Sequence, residues 1–212
     1  MNAGFSRSPF SFGVLRRYVI IALVALMGWG LYKTIINPLF VTAPTGDFEV
    51  RQGDILLSDK KYDEALERFD AALMISPDHR GALMGRALVF LQTGQDAEAE
   101  AALTGLIDGL STTLEPDDAT GRGALAAAYA NRGILYDRMG EFEKALANYI
   151  LALRVDAEAV SGPDIFDKIL YEARPSSIEA RAKYLDEQLQ LPEDQRILRV
   201  PEIDARQRMH KP

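Results

Sequence analysis

The chain is predicted to be all-α: an N-terminal transmembrane helix, then an α-solenoid of about three helical hairpins, then a helical cap. Three observations lead there. Between Phe142 and Leu153 the apolar residues recur with a helical period, with Ala145 and Tyr149 four apart and Ala152 three further on. The same order of small and large residues recurs upstream at a constant offset. Near the N-terminus, Tyr18 to Tyr32 carries no charged residue.

The apolar run comes first in the chain. Arg16 and Arg17 precede it and Lys33 follows. Counted from Val19 to Ile36, with Lys33 reaching to the interface, it approaches the roughly 20 residues that cross a bilayer. Tyr18, Trp29 and Tyr32 stand where interfacial aromatics belong. A cleaved signal peptide is the competing reading. Its best site, Val41-Thr42-Ala43, is followed by Pro44 and lies well past the apolar core. A twin-arginine export signal is matched only loosely at Arg16-Arg17-Tyr18. The arginines read instead as a topology determinant that keeps residues 1–17 in the cytoplasm. Everything after the span, residues 18–36, then lies outside; in a Gram-negative bacterium that is the periplasm. Residues 37–46, with two prolines, read as an extended linker between membrane and domain.

The hairpins are set out by spacing. Gly133, Tyr136, Phe142, Ala145, Leu146, Tyr149, Ala152 and Leu153 form one unit. Gly53, Leu56, Tyr62, Ala65, Leu66, Phe69, Ala72 and Leu73 form another with identical intervals, and Pro77 stops its second helix. A weaker copy lies between, at Leu83, Ala87, Phe90, Gly94, Ala99, Leu103 and Leu106. An insertion from Ser111 to Gly123 breaks the period. These units resemble the tetratricopeptide repeat (TPR), whose helix-turn-helix recurs every 34 residues. The resemblance covers residues 47–158.

That resemblance implies a protein-binding role and a concave groove lined by the first helix of each hairpin. By repeat position the groove residues are Val50, Asp54 and Leu57, then Met84, Leu88 and Leu91, then Ile134 and Asp137, with Asp47 and Ala130 beside them. A mostly apolar strip edged by carboxylates suits an amphipathic or extended peptide with aliphatic anchors. One TPR subclass clamps a free C-terminal carboxylate with lysine and asparagine. Here Val50 and Asp54 hold two of those positions and only Asn131 matches, so that clamp is not expected.

Composition narrows the function classes. The 212 residues are 48% hydrophobic and carry a formal net charge of −7. No acidic residue precedes Asp47, so the negative charge is concentrated in the region that follows. Such a region is a poor partner for nucleic acid, which needs a positive field. With no cysteine, disulfides, thiolate metal sites and cysteine nucleophiles are excluded. The two histidines, His79 and His210, read as solvated surface residues. Glu115, Asp117 and Asp118 in the insertion read as solvated loop carboxylates. There is no phosphate loop, no serine–histidine pairing and no metal-spaced cluster. Neither an enzyme nor a cofactor is expected.

After the third hairpin, residues 159–190 are read as a two-helix cap. One helix covers Asp164 to Ala173; the second, capped by Ser176 or Ser177, places Ile178, Ala182, Leu185 and Leu189 on one side. Residues 191–212 form an extended tail that either frays, occupies the domain's own groove or docks on a partner. The expected function is a membrane-anchored scaffold that binds a protein partner at the outer face of the membrane. The alternative is a permanent structural or assembly subunit of a membrane complex, in which Ala22, Ala25 and Gly28 support close helix contact.

Overall fold

The computed structural model describes residues 12–36, 46–160 and 178–201, and every regular element among them is helical. Contacts divide the chain into two units, Met1–Pro44 and Thr45–Pro212.

The first unit contains helix α1, Phe12–Leu31, which continues into a wider π turn at Tyr32–Ile36. The helix therefore begins several residues before the uncharged run and includes both arginines. Its stretch Leu15–Thr34 is long and apolar enough to cross a membrane. Lys33 sits over the Trp29 ring at 6.0 Å, and the Trp29 and Tyr32 rings lie 6.1 Å apart.

Among its described residues the second unit has seven α-helices: α2 Asp47–Ser58, α3 Tyr62–Ile75, α4 Arg80–Thr93, α5 Asp96–Thr113, α6 Ala119–Met139, α7 Phe142–Val160 and α8 Ile178–Leu189. They form three antiparallel hairpins, α2/α3, α4/α5 and α6/α7, and each packs on the next. Helix α8 packs on α7, the cap expected from Ile178, Ala182 and Leu185, all of which are buried. The cap helix expected at Asp164 to Ala173, the linker up to Thr45, the tail beyond Pro201 and His210 lie outside the described residues.

Each hairpin turns in the same way. The amide of Lys61 donates to Leu56, that of Gln95 to Phe90, and that of Glu141 to Tyr136, at 2.8, 2.9 and 2.8 Å. These are the long-range bonds of a Schellman motif, which needs one residue in the left-handed region. Gly94 (φ 72°) and Gly140 (φ 80°) supply it in the second and third turns. In the first turn that place is held by Lys60 at φ 60°, a strained choice for a residue with a Cβ.

The small residues allow the helices to approach, Gly53 and Gly133 within their own hairpins and Gly85 between the second hairpin and the first. A Cβ on Gly53 would come within 2.6 Å of the Phe69 ring, one on Gly85 within 2.4 Å of the same ring, and one on Gly133 within 2.5 Å of Tyr149. In the middle hairpin these places hold Ala87 and Leu103, both fully buried. A methyl is gained on one helix and a ring is lost from the other, so the volumes stay matched. Ala65, Ala99 and Ala145, at the facing position of each second helix, are fully buried too.

The insertion after Ser111 is mostly helix. Without a proline at the place of Pro77, α5 runs on to Thr113, and α6 begins at Ala119. Asp118 starts α6: its carboxylate accepts from the Gly121 amide at 2.7 Å and from Arg80 at 2.5 Å. It is thus a capping residue rather than a solvated loop carboxylate. In α7 the helix breaks at Asp156, whose side chain accepts from the Ala159 amide.

Candidate functional site

The groove set derived from repeat positions is interior. Val50, Leu57, Met84, Leu88, Leu91, Ile134 and Asp137 are all buried, and Asp54 is half-buried. Val50, Leu57, Met84, Leu88 and Leu91 belong to one apolar cluster, and Ile134 to a second. They therefore do not line an open groove, which corrects that expectation. The physical reason is close approach of the first helices: the side-chain amide of Asn131 in α6 lies 3.4 Å from the Met84 sulfur in α4.

Asp137 is the clearest departure from expectation. It is 1% exposed and lies in a buried polar network. Arg181, on the cap helix, donates from Nε and Nη2 to its two carboxylate oxygens at 2.8 and 2.7 Å. Tyr149 donates its hydroxyl to the same carboxylate at 3.1 Å. Burial, reinforced by the adjacent Asp137 charge, holds the Tyr149 phenol far above its ordinary pKa. Arg181 also donates to the Leu198 carbonyl at 3.0 Å, so the chain after α8 is drawn back onto the third hairpin. Arg199 completes that contact: it donates to the Arg138 carbonyl at 2.7 Å and sits over the Phe142 ring. The tail, as far as Val200, is accordingly neither frayed nor free.

His79 also differs from its reading as a solvated residue. Its Nε2 lies 2.9 Å from an Asp47 oxygen, and its side chain is only 11% exposed. It ties the loop before α4 to the start of α2. Among the described residues no cluster of histidine, cysteine and carboxylates could hold a metal.

Among the described residues, open space lies on the second hairpin. A pocket of about 500 Å³ is lined by Leu83, Arg86 and Phe90 from α4 and by Glu98, Ala101, Ala102, Gly105 and Leu106 from α5. A second, of about 250 Å³, shares Leu83, Gly105 and Leu106 and extends along α5 to Gly109, Leu110 and Thr113. Together they make one cleft. Its depth comes from missing side chains: a Cβ on Gly105 or Gly109 would meet nothing within 4 Å. The lining is largely apolar, with Arg86 and Glu98 at one end and Asp78 and Arg80 at the other. Arg86 lies 3.1 Å from Asp70 of α3, which fixes the cleft wall to the preceding hairpin. The sequence signal for this cleft was available in Ala101, Gly105 and Gly109, spaced four apart on one helix face.

Comparison with known proteins agrees with the hairpins. Family models described as tetratricopeptide repeat match residues 56–108 and residues 126–158. The chain carries tetratricopeptide repeats. TPR domains generally mediate protein–protein interaction. Among solved structures, the TPR domain of Sgt2 from Aspergillus fumigatus aligns at 18% identity with a TM-score of 0.46, covering 75% of this chain and 93% of that one. No curated protein matches.

Proposed function

We propose that this protein is a single-pass, membrane-anchored TPR scaffold that holds a protein partner at the outer, periplasmic face of a bacterial inner membrane. The observation that carries the reading is the short distance in sequence between a membrane-length apolar helix, Leu15–Thr34, and a TPR array starting at Asp47. Orientation follows from Arg16 and Arg17 at the N-terminal end of that helix against the single Lys33 at its other end. The reading is one of binding, not catalysis.

The partner segment is proposed to seat in the cleft of the second hairpin. An apolar floor with charged ends fits a helix or extended segment that carries aliphatic anchors and both signs of charge. The interior set from Val50 to Asp137 competes for this role only if the first helices separate.

Two measurements test the proposal. A reporter that is active only outside the cytoplasm, fused after Pro212, should be active; activity of a cytoplasm-only reporter in its place rejects the orientation. For the site, Gly105→Trp should fill the cleft without lowering the melting temperature and should reduce recovery of copurified partner. Met84→Glu should unfold the domain, because it forces a charge into the interior. A folded Met84→Glu protein that loses its partner, together with an unaffected Gly105→Trp, would return the site to the first helices.

A further inference from the structure

Large apolar side chains are unevenly exposed on the second unit. Among its described residues, five are more than half exposed: Phe48 at 60%, Ile55 at 62%, Met74 at 87%, Ile75 at 51% and Ile197 at 63%. All but Ile197 belong to the first hairpin. Phe48 and Ile55 are seven apart on α2, hence on one face of that helix. Met74 and Ile75 are the last two residues of α3.

Backbone contacts bring these ends together. A Cβ on Gly46, the residue before α2, would lie 3.2 Å from the Ala72 carbonyl in α3. Phe48, Met74 and Ile75 thus share the end of the hairpin at which the chain enters the domain. That entry point is tethered. Nine residues separate Ile36, the end of the π turn, from Gly46, and even fully extended they reach about 30 Å. This end of the domain cannot leave the neighbourhood of a bilayer that α1 spans.

We infer that the apolar end of the first hairpin, formed by Phe48, Met74 and Ile75, docks into the interfacial zone of that bilayer. The inference rests on the membrane reading of α1. Its occupant is a lipid surface because the patch sits where the tether holds it, and because phenylalanine, isoleucine and methionine gain by leaving water for the acyl boundary. The charged residues nearest it in sequence are of both signs, Asp47, Glu49, Arg51, Asp78 and Arg80, with Asp47 against His79 and Arg80 against Asp118. Contact is therefore carried by apolar burial rather than by a net field.

The absence of cysteine makes the test clean. The full chain is reconstituted in phosphatidylcholine vesicles with a single environment-sensitive dye at Met74→Cys, Phe48→Cys, Asp108→Cys or Val24→Cys. Nitroxide-labelled lipid is the quencher. Dyes at positions 74 and 48 should emit to the blue and be quenched several-fold more than the dye at 108. Quenching should persist when phosphatidylglycerol replaces part of the lipid. The dye at 24 reports separately on the anchor: if it is not quenched, the membrane reading fails and this inference falls with it. If 24 is quenched while 74 and 48 behave like 108, the anchor stands and the docking is rejected. A blue-shifted dye at 74 that lipid does not quench also rejects it, because protein then covers the patch.

Discussion

The first and third hairpins use the same positions for different purposes. Phe69 in the first is a dry ring pressed between Gly53 and Gly85. Tyr149, its counterpart in the third, presses on Gly133 but adds a hydroxyl that reaches Asp137, which in turn holds Arg181 of the cap helix. Helix α3 of the first hairpin meets the second hairpin, where Gly85 lies against the Phe69 ring, whereas α7 of the third meets the cap helix α8. The polar handle on its ring and the buried carboxylate give the cap helix a unique seat, whereas an apolar surface alone would accept several registers. An end of a solenoid can therefore be specified by a buried ion pair where its interior is specified by ring and glycine volumes.

Breaking the ion pair should have the largest effect. Arg181→Met leaves Asp137 buried without its bidentate partner and should destabilise by about 3–5 kcal/mol, read by chemical denaturation of the full chain in detergent. Adding Asp137→Leu should recover most of that loss. If the single variant melts like the parent, the cap is not held by this pair. Volume matching comes next. Gly133→Ala should overpack Tyr149 and cost about 1–3 kcal/mol, and Gly53→Ala should do the same against Phe69. Pairing Gly53→Ala with Phe69→Leu reproduces the Ala87–Leu103 combination of the middle hairpin and should restore part of the stability. No rescue would mean the middle hairpin differs by more than volume.

A smaller change sharpens the comparison from the other direction. Lys60 is left-handed where Gly140 closes the third hairpin. Lys60→Gly should raise stability by about 1 kcal/mol, seen as a higher melting temperature, while Gly140→Lys should lower it. The smallest effect concerns acid. The Gly121 amide, then Arg80, hold the Asp118 carboxyl below its usual value. Because the folded-state pKa is the lower one, this contribution is complete above the ordinary carboxylate range, about pH 4, and is lost as pH falls through the folded value. Asp118→Asn should flatten the acid side of the stability profile and leave the neutral side nearly unchanged.

The hairpins were legible because their information is local and periodic: Gly53, Ala65, Phe69 and Ala72 recur as Gly133, Ala145, Tyr149 and Ala152. The turn at Lys60 was not, since lysine carries no left-handed signature. The Arg181–Asp137 pair joins residues on different helices, α8 and α6, and neither residue type marks a buried position. The groove was misjudged for a related reason: repeat position says which way Met84 and Ile134 point but not how closely successive first helices approach. His79 looked exposed because its partner, Asp47, belongs to another helix.

The hairpins also differ in height. Helix α2 has 12 residues and α3 has 14, whereas α6 has 21. At about 1.5 Å per residue, the first hairpin stands roughly 20 Å tall and the third roughly 30 Å. With α1 anchored as proposed, a load applied by a bound partner and resisted by that anchor would enter the array at Gly46, on its shortest member, beside the His79–Asp47 pair. Under such tension the array would yield from that end first and hold longest at the capped one, so the first hairpin would act as a mechanical fuse that leaves the second hairpin, its cleft and the third hairpin folded.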